Sequence, residues 1–241
     1  MTKVTEHYDL VLADVYSWMF GGFASGIEKN RQFFKQHQIS STGSSLAVDL
    51  GAGCGFQSIP LAEIGFSVMA IDLNQKLLQE LQENSGHGKI QTIKDDLMNF
   101  DRHISDRPEL IVCMTDTILH LESIDKVTSL FEKVLNSLED KGKFMITFRD
   151  LSVELAELNR FLPVKSDAET IFTCFLEYEP DTVKVHDLVY KWENDAWQLH
   201  KSFYRKLRLS QKWVEEQLHN KGFQQTNSQC DRGMVTIIAT K

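Results

Sequence analysis

Between Leu46 and Gly55 the chain reads Leu-Ala-Val-Asp-Leu-Gly-Ala-Gly-Cys-Gly, an apolar run that ends in an acid and breaks into three alternating glycines. A strand covered on both faces needs a near-continuous apolar run, so Leu46, Ala47, Val48 and Leu50 predict a buried parallel strand. Glycines in the following turn let a ligand approach the backbone, where the next helix, expected over 56–64, offers unpaired N–H groups. Taken alone the glycine spacing also suits a tight turn or a close packing contact. Its setting between strand and helix points instead to a cofactor site.

A second apolar run, 66–71, ends in Asp72. This acid stands about 20 residues past the glycine turn, where a carboxylate at a strand end accepts both ribose hydroxyls of an adenosine. A nicotinamide dinucleotide fits that far, and charge separates it from other cofactors. Its pyrophosphate favours helix dipoles and cations, yet Asp49 stands beside the loop and no Lys or Arg occurs between Ser44 and Ile64. The glycines also lack the Gly-x-Gly-x-x-Gly spacing of the dinucleotide fingerprint. S-adenosylmethionine carries a cationic sulfonium and an ammonium group, and both gain from nearby carboxylates. Asp95-Asp96, after the run 90–93, adds a further acid able to accept an adenine amino hydrogen.

On these residues the chain resembles the class I S-adenosylmethionine-dependent methyltransferases of the small-molecule type, from about Leu46 to its C-terminus. The segment from Val48 to Gly55 looks like the family's first motif, Ile71-Asp72-Leu73 its ribose acid and Asp96-Leu97 its adenine-side pair. Leu110 to Met114 with Thr115-Asp116 resembles the fourth strand and the edge of the active site, and Gly142 to Phe148 the fifth strand. Asp140-Lys141-Gly142 replaces the Pro-Gly-Gly turn often seen before that strand. The resemblance implies an α/β, Rossmann-like, seven-stranded, mostly parallel sheet in the order 3-2-1-4-5-7-6, with the last strand antiparallel and a small antiparallel insertion over the active site. It implies S-adenosylmethionine as cofactor, held by Tyr16, Asp49, Gly51, Gly53, Gly55, Asp72, Leu73, Asp96, Leu97 and Met114.

Periodicity supplies the remaining elements. Leu77, Leu78 and Leu81 predict a helix over 75–83, and Val127, Leu130, Phe131, Val134, Leu135 and Leu138 recur at helical spacing over 124–138. After Asp150, runs at 170–178, 182–192 and 197–209 are separated by Glu179-Pro180-Asp181 and Glu193-Asn194-Asp195, which predicts three antiparallel strands and an insertion spanning 170–209. Ser210 can cap a helix that Gly222 stops, and two strands in a hairpin follow, the second over 234–239. The aromatic segment 1–37 is expected to form a helical cap broken at Gly21-Gly22. Either it packs on the sheet as a helix pair, or Tyr16 closes the cofactor pocket while Trp18 and Phe20 line the substrate side.

His120 follows the fourth strand, near the carboxyl ends of parallel strands where a methyl acceptor is expected. With an ordinary pKa of about 6.5 it is the candidate general base, or else a histidine that satisfies a loop group. Asp116 and Arg149 are the candidate substrate-orienting pair, with Asp150 beside them, and surface ion pairing is the plainer alternative. Methyl transfer does not require a dedicated base, because the donor is already activated and alignment and desolvation supply acceleration.

Composition bounds the partners. A net charge of −8 argues against sequence-independent phosphate attraction, and no Asn-Pro-Pro-Tyr motif follows the fourth strand, so no nucleic-acid partner is expected. Lys201, Arg205, Lys206 and Arg208 form a basic strip that strand alternation divides between two faces, giving a solvated surface or a contact with an anionic substrate. Cys54, Cys113, Cys174 and Cys230 are scattered without metal-ligand spacing, so no metal is expected. No apolar stretch approaches about 18 residues and the charged start lacks a secretory apolar core, which predicts no membrane partner and a cytoplasmic location. At 241 residues, 42% of them apolar, one domain over 1–241 is expected. The predicted activity is methyl transfer to a nitrogen or oxygen of a small molecule by in-line displacement. A non-catalytic binder of S-adenosylmethionine or S-adenosylhomocysteine and an NAD-dependent oxidoreductase are the alternatives.

Overall fold

Apolar runs in the first half of the chain become five parallel strands, β1 (Leu46–Leu50), β2 (Ser67–Asp72), β3 (Ile90–Lys94), β4 (Leu110–Cys113) and β5 (Lys143–Arg149). The computed structural model describes residues 4–86 and 88–241, so residues 1–3 of the predicted N-terminal cap lie outside the described residues. Both faces of the sheet are covered, and every residue of β4 is buried. Val48, Leu50, Ile111, Phe144 and Ile146 pack on one face against Phe131 and Val134. Ala47, Val112 and Met145 pack on the other against Phe34 and Leu61.

The covering helices start and stop where local chemistry satisfies their free backbone groups. Helices α1 (Val4–His7), α2 (Tyr16–Met19) and α3 (Phe23–Gln36) precede the sheet, and Gly21 and Gly22, at φ of 96° and 95°, break the chain between α2 and α3. Helices α4 (Ser58–Glu63), α5 (Gln75–Asn84) and α6 (Ile124–Ser137) alternate with the strands. Asn74 and Ser123 cap α5 and α6 by accepting from the backbone N–H groups of Leu77 and Lys126. Before β5, Lys141 takes the left-handed conformation, and a Cβ on Gly142 would lie 2.9 Å from the Glu139 carbonyl oxygen. The last glycine of that altered turn is therefore required by close packing.

Beyond β5 the structure departs from expectation in one element. The turn signals predict three inserted strands, and the structure has four: β6 (Phe161–Ser166), β7 (Thr170–Tyr178), β8 (Thr182–Glu193) and β9 (Ala196–Leu207), antiparallel in that order. Strand β6 carries Pro163 and a register shift between Pro163 and Lys165. Both features are tolerated at a sheet edge and erase the alternation by which a strand is recognised. Helix α7 (Gln211–Lys221) follows, capped by Ser210 and closed by Gly222 at φ 114°. Strands β10 (Gln225–Asp231) and β11 (Met234–Thr240) then complete the main sheet in the order β3-β2-β1-β4-β5-β11-β10, with β11 antiparallel to β5. This is the predicted 3-2-1-4-5-7-6 arrangement.

The N-terminal segment joins the two sheets. Val11, Leu12 and Val15 pack on Phe172 and Val189 of the inserted sheet, while Ala13 packs with Ala52, Phe56 and Leu77 of the main domain. Between them a π-helical turn spans Tyr8–Leu12. Buried His7 and Asp187 meet at 2.9 Å, and Cys174 Sγ donates to the other Asp187 oxygen at 2.8 Å. No single helix among the described residues is long and apolar enough to cross a membrane.

Candidate active site

Where the parallel strands end, the N-terminal segment and the inserted sheet enclose a cavity of about 770 Å³. Such a volume accommodates a nucleoside-sized ligand with a small second molecule. The glycine loop forms part of its wall, and its three glycines do different work. All have positive φ. A Cβ on Gly53 would meet nothing nearer than the Tyr16 ring at 3.8 Å and Leu77 at 3.9 Å, so this residue faces open cavity. On Gly55 it would fall 2.2 Å from Leu81 Cδ1, which makes Gly55 a packing contact with α5 and not part of the lining. Gly51 lines the cavity beside Thr117.

Asp72 closes the β2 end of the cavity. One carboxylate oxygen accepts from Gly53 N–H at 2.8 Å and the other from Asn74 N–H at 2.7 Å. Each oxygen keeps a further lone pair for a ligand. Burial raises its pKa, opposed by these backbone donors. Leu73, Asp96 and Leu97 also line the cavity, and Asp96 caps the turn Leu97–Arg102 by accepting from Met98 N–H. Asp95 beside it accepts from Asn99 and His103, which hold its pKa down to about 2. Tyr16 lines the cavity next to Gly53 and stacks on Phe56 with ring centroids 5.9 Å apart.

Asp49, Met114, Trp18 and Phe20, expected around the ligands, lie elsewhere. Asp49 is 1% exposed beneath the glycine loop, where Ser58 Oγ donates to it at 2.6 Å and burial pushes its pKa up to about 7. Its place on β1 turns it toward α4, so it supports the loop from below and does not present a charge to the cavity. Met114 is buried in the core with Val112 and Met145. Trp18 Nε1 donates to Asp167 at 2.6 Å, and the Lys165 ammonium sits 4.9 Å from its ring, fastening the N-terminal segment to the inserted sheet. Phe20 packs against Tyr16 and Phe56. None of the four lines the cavity.

Toward the opposite end the predicted pair Asp116 and Arg149 meets behind the wall, and neither residue lines the cavity. Buried Asp116 accepts from Arg149 Nη1 at 2.6 Å, from Arg149 N–H at 2.7 Å and from Lys206 Nζ at 2.7 Å. Burial works against its charge, but Lys206 and Arg149 outweigh it and hold the carboxyl well below the usual range. His120 lines the cavity with Tyr8 and Lys206. Burial first and Lys206 second lower its pKa to about 3, and its Nδ1 is buried without a partner among the described residues. Aromatic rings run from one end of the site to the other: Tyr16 to Tyr8 at 6.2 Å, Tyr8 to His120 at 6.2 Å, and His120 to Tyr204 at 5.3 Å.

Tyr8, Thr115, Thr117 and Lys206 join the lining although the sequence did not single them out as site residues. Lys206 had a visible signal, its place in the basic strip. Arg205 of the same strip also lines the cavity; it pairs with Glu179, whereas Lys206 reaches buried Asp116.

Comparison with known proteins agrees with this geometry. Residues 47–142 match the family model of a methyltransferase domain. A glycine/sarcosine N-methyltransferase of Aphanothece halophytica is 26% identical over 121 residues, 49% of this chain and 46% of that protein, so the chain spans about half of that relative's length. The CcbJ methyltransferase of Streptomyces caelestis superposes with a TM-score of 0.76 at 18% identity, covering 96% of each chain. The S-adenosylmethionine-bound CalS10, an amino pentose methyltransferase of Micromonospora echinaspora, gives a TM-score of 0.67 at 10% identity over 95% of this chain and 93% of its own. At these identities the two solved structures show the fold.

Proposed function

We propose that the chain is a class I S-adenosylmethionine-dependent methyltransferase and that it methylates a nitrogen of a small molecule held between the N-terminal segment and the inserted sheet, a reading supported by the methyltransferase-domain match over residues 47–142. The observation that carries this reading is the polarity of one continuous cavity. Asp72, Asp95 and Asp96 stand at one end, His120 and Lys206 at the other, and the rings of Tyr8 and Tyr16 lie between. The open α-carbon of Gly53 and the spare lone pairs of Asp72 fit an adenosine ribose and a cationic ligand. The Gly53 N–H is already committed to Asp72, which leaves the loop poorly suited to a pyrophosphate.

When bound, S-adenosylmethionine supplies a methyl carbon activated by a positively charged sulfur. Asp72 would receive the ribose hydroxyls and the Asp96-Leu97 pair the adenine edge. Tyr8 and Tyr16 stay protonated because burial raises both phenols, so their rings offer electron-rich faces to a cation without adding charge. His120 is neutral at neutral pH, since its pKa is lowered to about 3. A neutral imidazole orients an amine by accepting one of its N–H hydrogens, but it has little power to strip a hydroxyl. An amine attacks through its own lone pair, which favours nitrogen over oxygen. The name of the Aphanothece relative, an N-methyltransferase, supports the same choice.

The test is calorimetric binding of S-adenosylmethionine followed by transfer of its labelled methyl group to a panel of small amines and alcohols. Asp72→Asn places an amide against two backbone donors and should weaken cofactor binding by roughly tenfold or more. Binding with no methylated product from any member of the panel would establish the non-catalytic binder instead.

A further inference from the structure

Two cations converge on a single oxygen at the acceptor end of the cavity. Lys206 Nζ and Arg149 Nη1 both bond Asp116 Oδ2, at 2.7 and 2.6 Å. The side chains of Lys206 and Asp116 are 9% and 3% exposed, so one buried carboxylate faces two positive charges and the cluster keeps an excess of one. An ammonium has three hydrogens to give, and Asp116 is the one acceptor that Lys206 Nζ has among the described residues. Lys206 lines the cavity, where a buried donor without a partner is costly unless a ligand satisfies it.

Neighbouring acids are committed elsewhere. Asp187 is held by His7 and Cys174, and Glu179 by Arg205, Thr182 and Lys184. Asp72, Asp95 and Asp96 stand at the far end, and Glu122 is on the exposed rim with Lys126.

We propose that the acceptor carries an anionic group, a carboxylate or a phosphate, and that Lys206 Nζ receives it while the amine lies toward His120. This inference rests on the methyl-transfer reading and adds the charge class of its substrate. A lysine that only clips the inserted sheet to the main domain would be a structural residue, and the two roles separate in binding data.

The experiment uses the full chain saturated with S-adenosylhomocysteine and titrated by calorimetry with matched amines: glycine against methylamine for the carboxylate, phosphoethanolamine against ethanolamine for the phosphate. Wild-type protein should prefer the anionic member of at least one pair by roughly tenfold or more, and the better pair identifies the anion. Lys206→Met, in which Arg149 still pairs with Asp116, should bring that ratio to within about threefold, and Lys206→Arg should keep most of it. S-adenosylhomocysteine affinity should stay within about twofold in all three proteins, and matched melting curves confirm that each is folded. Equal or absent binding of both members of both pairs, or a preference that survives in Lys206→Met, overturns the proposal. Absence of S-adenosylhomocysteine binding by the wild type would overturn the methyltransferase reading itself.

Discussion

Replacing Gly53 and Gly55 one at a time by alanine separates the binding and packing duties of a motif that looks uniform in sequence. Both residues sit at positive φ, 53° and 92°, so each substitution carries a backbone penalty of roughly 1–2 kcal/mol. At Gly53 that is the whole cost to folding, because the new methyl group meets only ordinary contacts at 3.8 and 3.9 Å. At Gly55 the methyl group would stand 2.2 Å from Leu81, a fully buried side chain locked among Leu77, Leu78 and Phe56. Overpacking of this kind adds about 1–3 kcal/mol. Gly55→Ala should therefore be less stable than Gly53→Ala by about 1–3 kcal/mol, equivalent to roughly 2–12 °C in melting temperature for a domain of this size. Urea titration of the ligand-free proteins measures the difference, with unchanged m-values as the control that the same surface is exposed. Cofactor affinity should show the reverse order: a loss of about tenfold for Gly53→Ala, whose methyl group enters the cavity, and near-normal binding by folded Gly55→Ala. Equal stabilities, or a cofactor defect confined to Gly55→Ala, would refute this division of roles.

Asp49 predicts a pH effect. Its folded-state pKa of about 7 lies above the ordinary carboxyl value, so the folded chain binds the proton more tightly than the unfolded one. Its contribution is fully present below the unfolded pKa of about 4 and is lost as pH rises through the folded value. Asp49→Asn mimics the protonated form beside Ser58, and its stability relative to wild type should climb by a few kcal/mol between about pH 4 and 7 and then level off. Urea unfolding at closely spaced pH values reads that curve, and a flat difference would reject it. Replacing His7 by Ala leaves buried Asp187 with Cys174 as its remaining partner and should cost about 3 kcal/mol. Hydrogen exchange should show the segment around Tyr8–Leu12 opening first, whereas uniform loosening of the whole domain would count against a local latch.

The main sheet was legible because its chemistry is redundant. Strands buried on both faces are written as apolar runs, and an error of one residue at either end of Leu110–Cys113 leaves it a buried strand. The cap at Ser210 was read from the same kind of local signal, and the structure adds equivalent caps at Asn74 and Ser123 that the sequence reading did not name. Strand β6 was hidden by Pro163 and its bulge. The site was harder to read than the fold because a side chain's direction on a strand changes with every residue. Asp49 lies on β1, yet one step of alternation sends it beneath the loop toward Ser58. Trp18 and Phe20 carry the aromatic character of a pocket wall, but their partners, Asp167 and Phe56, are distant in sequence.

The same alternation explains how the two halves of the cavity come by opposite charge. Asp72 and Asp96 sit at the ends of β2 and β3, where the parallel topology that builds the sheet also gathers them beside the glycine loop. Lys206 comes from β9, in a sheet that contacts this end chiefly through its own inward face and through Asp116. A change on β9 can therefore alter the charge offered to an acceptor while leaving Gly53 and Asp72 bonded to each other as before. On the proposed reading, cofactor recognition would follow from the main sheet and acceptor recognition from the register of β8 against β9, which pairs Val183 with Lys206. A one-residue slip of that register would carry Lys206 away from Asp116. The Arg205–Glu179 pairs at 2.7 and 3.0 Å help to hold β9 in the register that keeps Lys206 on Asp116.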